Sequence, residues 1–251
     1  MDLGLKTYPI DLEKTKEVVD LFDFVELLIP PNYNPKELLN YNFSFNIHVA
    51  HEKFGYNPAD IKQRELSKSL IQKALEAADL IKADYIVVHP GYSKDEKDEL
   101  NVLDFFDDCF DKRMLIENCP IGAWQSNFFF STPKKIAEFI SRYKSSFLFD
   151  VGHAILSANT LNENIFDFIS RFEKLNSKVH HVYGTEINST LTEHHKHFHQ
   201  VESDYSYLSM LNPESTFVFE TDLVSRSERS DYEKNIAFLN SFLCEKETIK
   251  E

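Results

Sequence analysis

Histidine and carboxylate residues stand at the ends of short apolar runs throughout this chain. In the stretch YIVVHPGYS, residues 85–93, four apolar or aromatic residues lead to His89, and Pro-Gly then breaks the chain. The residues that end this run and five others are His48, His89, Glu117, Asp150, His180 or His181, and Glu220. Imidazole nitrogens and carboxylate oxygens are groups with which proteins bind divalent zinc, manganese or iron. The pattern predicts a metal site if the ends of these runs meet in space.

Each of these residues also has an ordinary structural interpretation. A single buried histidine is more often a hydrogen-bonded structural residue than a ligand, and a carboxylate after a strand can cap the helix that follows. Three carboxylates buried together without a cation are unfavourable, however, because like charges held close resist ionisation. Taken jointly with the histidines, Glu117, Asp150 and Glu220 therefore favour a metal site.

Two further motifs place ligand-type residues close together in sequence. In FDVGHA, Asp150 and His153 are three residues apart at a strand-to-helix turn, a spacing that lets both reach one ion. In TEHHKHFHQ, Glu193 and His195 could present a carboxylate and an imidazole from one side of a loop. The neighbouring histidines in that loop are His194, His197 and His199. A histidine-rich loop in solvent would give the same pattern, so both interpretations of this loop stay open.

The elements that must position these residues alternate between β-rich runs and helical patterns. The predicted strands are residues 4–7, 24–29, 43–48, 85–89, 113–117, 146–150, 178–183 and 216–220. The predicted helices are residues 12–22, 59–82, 97–110, 132–143, 162–174 and 229–243. Eight such units in about 250 residues predict an α/β fold, a single (β/α)8 TIM barrel spanning residues 1–251, with an open doubly wound sheet as the alternative. In a barrel the carboxyl ends of the strands converge on one mouth, where the ligand-type residues would meet.

Composition limits the partners and the compartment. The 41 acidic and 27 basic residues give a formal charge of −14, which disfavours nucleic acid and suits small-molecule or cationic partners. Three widely spaced cysteines and the lack of a long apolar run predict a soluble cytoplasmic protein. Cys119 has no dedicated base implied beside it, so we interpret it as structural. Lys53, Lys94 and Arg226 fall in loops at the predicted mouth, where a cation can hold a phosphate, although solvated surface charges are more typical there.

Seven short motifs follow one another from the third predicted strand to the eighth: NIHVAH, VVHPGY, LIENCP, FDVGHA, VHHVYG, TEHH and VFETD. Their order and spacing resemble those of the xylose-isomerase-like TIM barrels, a superfamily that includes endonuclease IV (AP endonuclease family 2) and sugar-phosphate isomerases and epimerases. The resemblance implies a cluster of one to three divalent ions. The imidazole-rich ligand set favours zinc, with manganese or iron(II) as alternatives.

The resemblance also implies how the ions are held. By analogy with the endonuclease IV-like members, His48 and His89 would bind one ion, and Glu117 would bridge it to a second. Asp150 and His181 would hold that second ion. The residues that would complete the cluster are His153, Glu193, His195 and Glu220. By analogy with the simpler epimerases, one cation would lie among Glu117, Asp150, His181 and Glu220.

The chain departs from the family pattern at two positions near these ligands. Glu193 stands where the family usually has aspartate, and the longer side chain could move or lose the third ion. Gly184 takes the place of an aspartate in the motif of the seventh strand. The choice of His181 over His180 as a ligand therefore rests on the alternation of side chains along that strand.

Three functions are compatible with these residues. The first is a divalent-metal-dependent phosphoester hydrolase, a phosphodiesterase-like enzyme, in which Glu117 would orient a metal-activated water toward a small phosphorylated metabolite rather than DNA. The second is a metal-dependent sugar or sugar-phosphate isomerase or epimerase, in which Glu117 and Glu220 would exchange a proton with carbon. The third is a barrel that binds a metal or ligand without turnover. We favour the hydrolase, because His48, His89 and His195 add candidate ligands beyond those of the single-cation site that the resemblance to the epimerases implies.

Overall fold

Eight parallel strands close into a barrel in the computed structural model, which describes residues 1–122, 127–190, 195–221 and 223–244. In chain order, the strands within these ranges are β1 (Leu3–Thr7), β2 (Phe24–Ile29), β3 (Phe45–Val49), β4 (Ile86–Val88), β5 (Tyr92–Ser93), β6 (Met114–Glu117), β7 (Asn127–Phe128), β8 (Ser146–Asp150), β9 (Val179–Val182) and β10 (Thr216–Phe219). β5 and β7 form a short antiparallel pair outside the barrel. β1 pairs with both β2 and β10 and so closes the barrel. The predicted (β/α)8 TIM barrel is confirmed.

Helices surround the barrel and follow most of its strands. They are α1 (Leu12–Thr15), α2 (Arg64–Ile81), α3 (Glu99–Cys109), α4 (Pro133–Tyr143), α5 (Val151–Leu161), α6 (Ile165–Glu173) and α7 (Arg229–Leu243). The helix predicted over 12–22 is shorter, because α1 gives way to a separate 3-10 turn at Val19–Leu21. The sequence pattern missed α5. All residues of α5 from Val151 to Ala158 are buried, so this helix lacks the polar face that produces a helical period.

Side chains alternate along each strand between the barrel interior and the surrounding helices. Along β8, Phe147 and Phe149 belong to the large hydrophobic core, whereas Leu148 belongs to a separate cluster. That cluster consists of Phe24, Tyr85, Val87, Leu115, Leu148, Val179 and Val218. These residues lie on or beside six of the barrel strands, and their side chains point to the same side of the sheet as Leu148. They therefore form an apolar floor inside the barrel.

Two strand ends differ from the prediction at residues that matter for the site. β3 extends to Val49, so His48 lies within the strand. β4 ends at Val88, so His89 follows the strand instead of closing it. Pro90 comes next, and proline has no N–H with which to continue the ladder.

Candidate metal centre

A polar layer lies directly above the apolar floor. Residues two apart on a strand point to the same side, so most floor residues are followed by an inward-facing polar residue. The pairs are Phe24 and Glu26, Val87 and His89, Leu115 and Glu117, Leu148 and Asp150, Val179 and His181, and Val218 and Glu220. Lys6 of β1 and His48 of β3 join the layer through contacts with Glu220 and Glu117. Each barrel strand, or the residue that directly follows it, thus contributes a polar side chain to the layer.

Glu117 occupies the middle of this layer, where imidazoles surround its carboxylate. Its Oε2 atom lies 3.3 Å from Nε2 of His48 and 3.2 Å from Nε2 of His89. Its Oε1 atom lies 3.1 Å from Nδ1 of His153. Glu117 is buried. One ligand atom from each of His48, His89 and Glu117 lies within 4.8 Å of the others, which makes this trio a candidate ligand group.

A second candidate group shares Glu117 and adds three residues from neighbouring strands. Its members are Glu117, Asp150, His181 and Glu220, whose ligand atoms all lie within 4.8 Å of one another. Nδ1 of His181 lies 2.7 Å from Oε2 of Glu220, 3.8 Å from Oδ2 of Asp150 and 4.0 Å from Oε1 of Glu117. The two groups therefore meet at one carboxylate, with His48 and His89 nearest one oxygen and the second group nearest the other.

The chemistry of the second group fits a divalent cation. Oδ2 of Asp150 is buried and has no hydrogen-bond partner within the described ranges. Nδ1 of His181 and Oε2 of Glu220 are also buried, and they face each other at 2.7 Å without good hydrogen-bonding geometry. Buried polar atoms are nearly always satisfied. A buried oxygen without a partner beside this close nitrogen–oxygen pair matches the donor set of zinc, manganese or iron.

Hydrogen bonds behind the imidazoles leave a ring nitrogen of each facing the site. Nδ1 of His48 lies 2.7 Å from the carbonyl oxygen of Val49, to which it donates in the tautomer that leaves Nε2 free to bind an ion. Nδ1 of His89 lies 3.1 Å from Glu52. A carboxylate or carbonyl behind a ligating histidine is the usual arrangement in metal sites. Sequence reasoning missed Glu52, which lies in the loop after β3 and ends no strand.

Asp150 combines both roles that the sequence allowed for it. Oδ1 accepts hydrogen bonds from the backbone N–H of His153 at 2.7 Å and from the hydroxyl of Tyr183 at 3.0 Å. The first of these bonds caps the start of α5. Oδ2 remains directed toward the second ligand group. One residue therefore starts the helix and offers a ligand atom.

His153 and Cys119 form a third candidate group with Glu117. One ligand atom from each lies within 4.8 Å of the others, and all three residues are buried. Nδ1 of His153 also lies 3.1 Å from the carbonyl oxygen of Asn118. The sequence led us to interpret Cys119 as structural, but the structure places its thiol beside ligand-type atoms. In the sequence, the sign of this proximity was a cysteine two residues after a strand-end glutamate.

The loop after β9 contributes one imidazole next to the centre. Nδ1 of His195 lies 3.4 Å from Oε1 of Glu220 and 3.2 Å from the Glu220 carbonyl oxygen. Its ring stacks on Tyr183 with centroids 4.3 Å apart. His195 belongs to none of the three ligand groups found in the described part of the chain. Glu193 and His194 lie outside the described residues, so the third ion implied by the resemblance stays a prediction.

The structure separates His180, His197 and His199 from the ligand groups. His180 points away from the barrel interior, where Nε2 contacts Glu173 at 2.7 Å and the ring stacks on Phe217. The structure thus places His181, and not His180, among the candidate ligands. His197 contacts Ser227 and Asn235, and His199 pairs with Asp231.

Burial and neighbouring charges shift the pKa values of the layer. Burial, reinforced by the Lys6 ammonium, lowers the pKa of His48 to about 4, so this imidazole is neutral near pH 7. Burial raises the pKa of the Asp150 carboxyl to about 6, and the charge of Glu117 adds to the rise. Burial acts to lower the pKa of His181, but the carboxylates of Glu26 and Glu220 raise it to about 10. An ion that binds His181 must displace this proton.

Lys6 is a buried cation that sequence reasoning also missed. Its Nζ atom lies 2.6 Å from Oε1 of Glu220, and only 5% of its side chain is exposed. Burial acts to lower the pKa of Lys6, but Glu220, Glu117 and Glu26 raise it well above its usual range. By contrast, Lys53, Lys94 and Arg226 are exposed on the surface. The cation nearest the candidate ligands thus comes from a strand and not from a loop.

Comparison with known proteins gives one relative by sequence. No protein-family model matches the chain. The uncharacterized protein MJ1614 of Methanocaldococcus jannaschii is 24% identical over 193 residues, which cover 73% of this chain and 72% of that protein. Identity at this level does not define a family for the chain.

Solved structures share the fold over nearly the whole chain. A D-tagatose 3-epimerase-like protein aligns with a TM-score of 0.70 and 18% identity, covering 97% of each chain. A Thermus thermophilus protein soaked with ZnCl2 aligns with a TM-score of 0.70 and 15% identity, covering 98% of this chain and 99% of the other. Endonuclease IV from the same organism also gives 0.70, with 17% identity over 98% of this chain and 100% of the other. The resemblance to the xylose-isomerase-like and endonuclease IV-like barrels is confirmed for the fold.

No helix within the described ranges has the length and apolar character needed to cross a bilayer.

Proposed function

We propose that the chain is a divalent-metal-dependent phosphoester hydrolase that acts on a small phosphorylated metabolite. The observation that carries the proposal is the position of Glu117 between two ligand groups. One carboxylate oxygen lies beside His48 and His89, and the other lies nearest the group of Asp150, His181 and Glu220. A carboxylate placed in this way can bridge two ions.

The proposed chemistry divides between the ions and the side chains of the layer. The residues of the two groups would hold divalent ions, which would supply a water whose pKa is lowered from ~15.7 to about 7 and positive charge for the attacking and leaving oxygens. Glu117 holds the two groups at a common centre. Glu52 fixes the ring of His89. Most of the layer is buried, and low solvent exposure would strengthen its electrostatic contacts with a phosphoryl group.

The charge of the protein supports a small substrate over a polymer. The formal charge of −14 opposes the tracking of a phosphate backbone. Lys53, Lys94 and Arg226 are exposed loop residues that take part in no ion pair within the described ranges. A small phosphorylated metabolite needs only the cations inside the mouth.

An isomerase or epimerase is the second candidate, favoured by the likeness to the D-tagatose 3-epimerase-like protein. In that reaction Glu117 and Glu220 would take protons from carbon and return them. Burial acts to raise the pKa of Glu117, but the imidazole of His89 and its neighbours hold it well below the usual range. Lys6 likewise outweighs burial and keeps the pKa of Glu220 low. Both carboxylates are therefore held in the anionic form, which is the form that binds cations.

The proposal is tested with a panel of phosphomonoesters and phosphodiesters. Chelation is expected to abolish phosphate release, and zinc or manganese is expected to restore it. Glu117→Gln is expected to lower the rate at least ~100-fold, whereas the exposed Glu214→Gln serves as a matched control that leaves the rate unchanged. An ion-loaded protein that hydrolyses nothing on the panel, yet incorporates solvent deuterium into a sugar, would show that the epimerase is correct.

A further inference from the structure

Among the residues that the structure describes, the ammonium of Lys6 has fewer hydrogen-bond partners than donors. A lysine side chain carries three N–H bonds, and the hydrogen bond from Nζ of Lys6 goes to Oε1 of Glu220 at 2.6 Å. This side chain is only 5% exposed. Lysine is almost never buried to this degree unless it is well paired. The ammonium therefore has room for a further anionic acceptor.

The nearby carboxylates are already engaged by other groups. Oε1 of Glu26 accepts from His181 at 2.9 Å, and Oε2 of Glu26 accepts from Tyr85 at 3.0 Å. Oε2 of Glu117 faces the imidazoles of the first ligand group. Glu220 is therefore the carboxylate that binds Lys6, although three carboxylates surround it.

Glu220 also fixes where a further acceptor would lie. Oε1 of Glu220 contacts Lys6, while Oε2 of the same carboxylate lies 2.7 Å from the Nδ1 atom of His181. One carboxylate oxygen of Glu220 therefore contacts Lys6, and the other belongs to the second ligand group. An anion that binds at that group comes within reach of the ammonium.

We propose that Lys6 binds an anionic oxygen of the substrate, which in the proposed hydrolase is an oxygen of the phosphoryl group. This inference rests on the proposed function and adds a specificity-determining residue to it. A fixed ammonium inside the mouth favours a phosphorylated ligand over a neutral sugar, because a neutral sugar supplies no charge to pair with it. Charge-assisted hydrogen bonds of this kind are the stronger ones in proteins.

The test measures two quantities on the ion-loaded protein, its metal content and its affinity for inorganic phosphate. Lys6→Met removes the ammonium, and the exposed Lys62→Met is the matched control. Lys6→Met is expected to keep its ions and to bind phosphate about 10- to 100-fold more weakly in calorimetric titrations. Lys62→Met is expected to bind phosphate like the unmodified protein.

A second variant covers the case in which Lys6→Met fails to fold. Lys6→Gln keeps an N–H donor for Glu220 without the charge, and the same loss of phosphate affinity is expected. Loss of metal from either folded variant would overturn the proposal, because Lys6 would then act only by positioning Glu220. Unchanged phosphate affinity with full metal content would overturn it as well.

The two proposals can fail separately in these measurements. Lys6-dependent phosphate binding in a protein that hydrolyses no phosphoester would contradict the proposed function alone. Phosphoester hydrolysis together with a phosphate affinity that is unchanged in the Lys6 variants would contradict only the role of Lys6.

Discussion

Nε2 of His181 lies 2.9 Å from Oε1 of Glu26, and both side chains are completely buried. The two residues are 155 positions apart in sequence and come from strands that are not adjacent in the barrel. A carboxylate behind a ligating imidazole fixes its tautomer and raises its basicity. In this arrangement the N–H of His181 faces Glu26, and Nδ1 faces the second ligand group.

Glu26→Gln is predicted to weaken metal binding without changing the fold. The amide still fills the space but supplies no charge to the His181 ring, and changes of this type lower metal affinity about 10- to 100-fold. Competition with a chromophoric chelator measures the effect, with the exposed Glu214→Gln as the matched control. Equal metal affinity in the two variants would show that Glu26 does not support metal binding.

Sequence reasoning pointed to the strand-end residues that the structure places in the candidate ligand groups, but it missed Lys6 and Glu26 for a geometric reason. We searched the last residue of each apolar run, whereas Glu26 is followed by three further residues of β2. Strands in a barrel are staggered along its axis. A residue in the middle of one strand can therefore share a layer with the last residue of another. Glu26 pairs in register with Lys6 on one side and Asn46 on the other.

The alternation of side chains along β9, in contrast, was sufficient to choose His181 over His180 as the inward-facing residue. Val179 lies in the apolar floor, so His181 must face the interior and His180 the helices. Glu52 could not be predicted in the same way. It lies in a short 3-10 turn after β3, and its contact with His89 depends on the path of that loop.

The ion count is predicted to depend on Glu117 more than on any other ligand, because both groups share this carboxylate. His48→Ala is expected to lower the zinc content by about one equivalent, since it removes a ligand of the first group only. Glu117→Gln is expected to lower occupancy at both groups. Elemental analysis after dialysis gives the counts, with His199→Ala as a control outside the ligand groups. A Glu117→Gln protein that keeps two ions would rule out the shared carboxylate.

The pH dependence of stability in the chelated protein is predicted from Asp150. Its pKa rises from the ordinary aspartate value of 3.8 to about 6 in the folded chain, because burial disfavours the charged form. A folded-state pKa above the unfolded value favours folding at low pH, and that contribution is lost as the pH rises through about 6. A shift of this size corresponds to roughly 3 kcal/mol.

Urea unfolding at about pH 4, 5, 6 and 7 tests whether stability falls as the pH rises. Relative to Asp150→Asn, the chelated protein is expected to lose stability between about pH 4 and 6. Metal binding is expected to show the opposite trend and to weaken more steeply below about pH 6, because protons then compete for Asp150 as well as for His181. A stability difference that does not change over this pH range would contradict the assignment.

Gly152 and Tyr183 are predicted to be strongly coupled. A Cβ atom at Gly152 would overlap the phenol ring of Tyr183, whose hydroxyl donates to Oδ1 of Asp150 at 3.0 Å. Gly152→Ala should therefore displace the ring and lower the free energy of unfolding by about 1–3 kcal/mol. In a Tyr183→Ala background the ring is absent, so Gly152→Ala should cost little. A double-mutant cycle by urea unfolding measures the coupling, and additive effects would show that Tyr183 does not require a glycine at position 152.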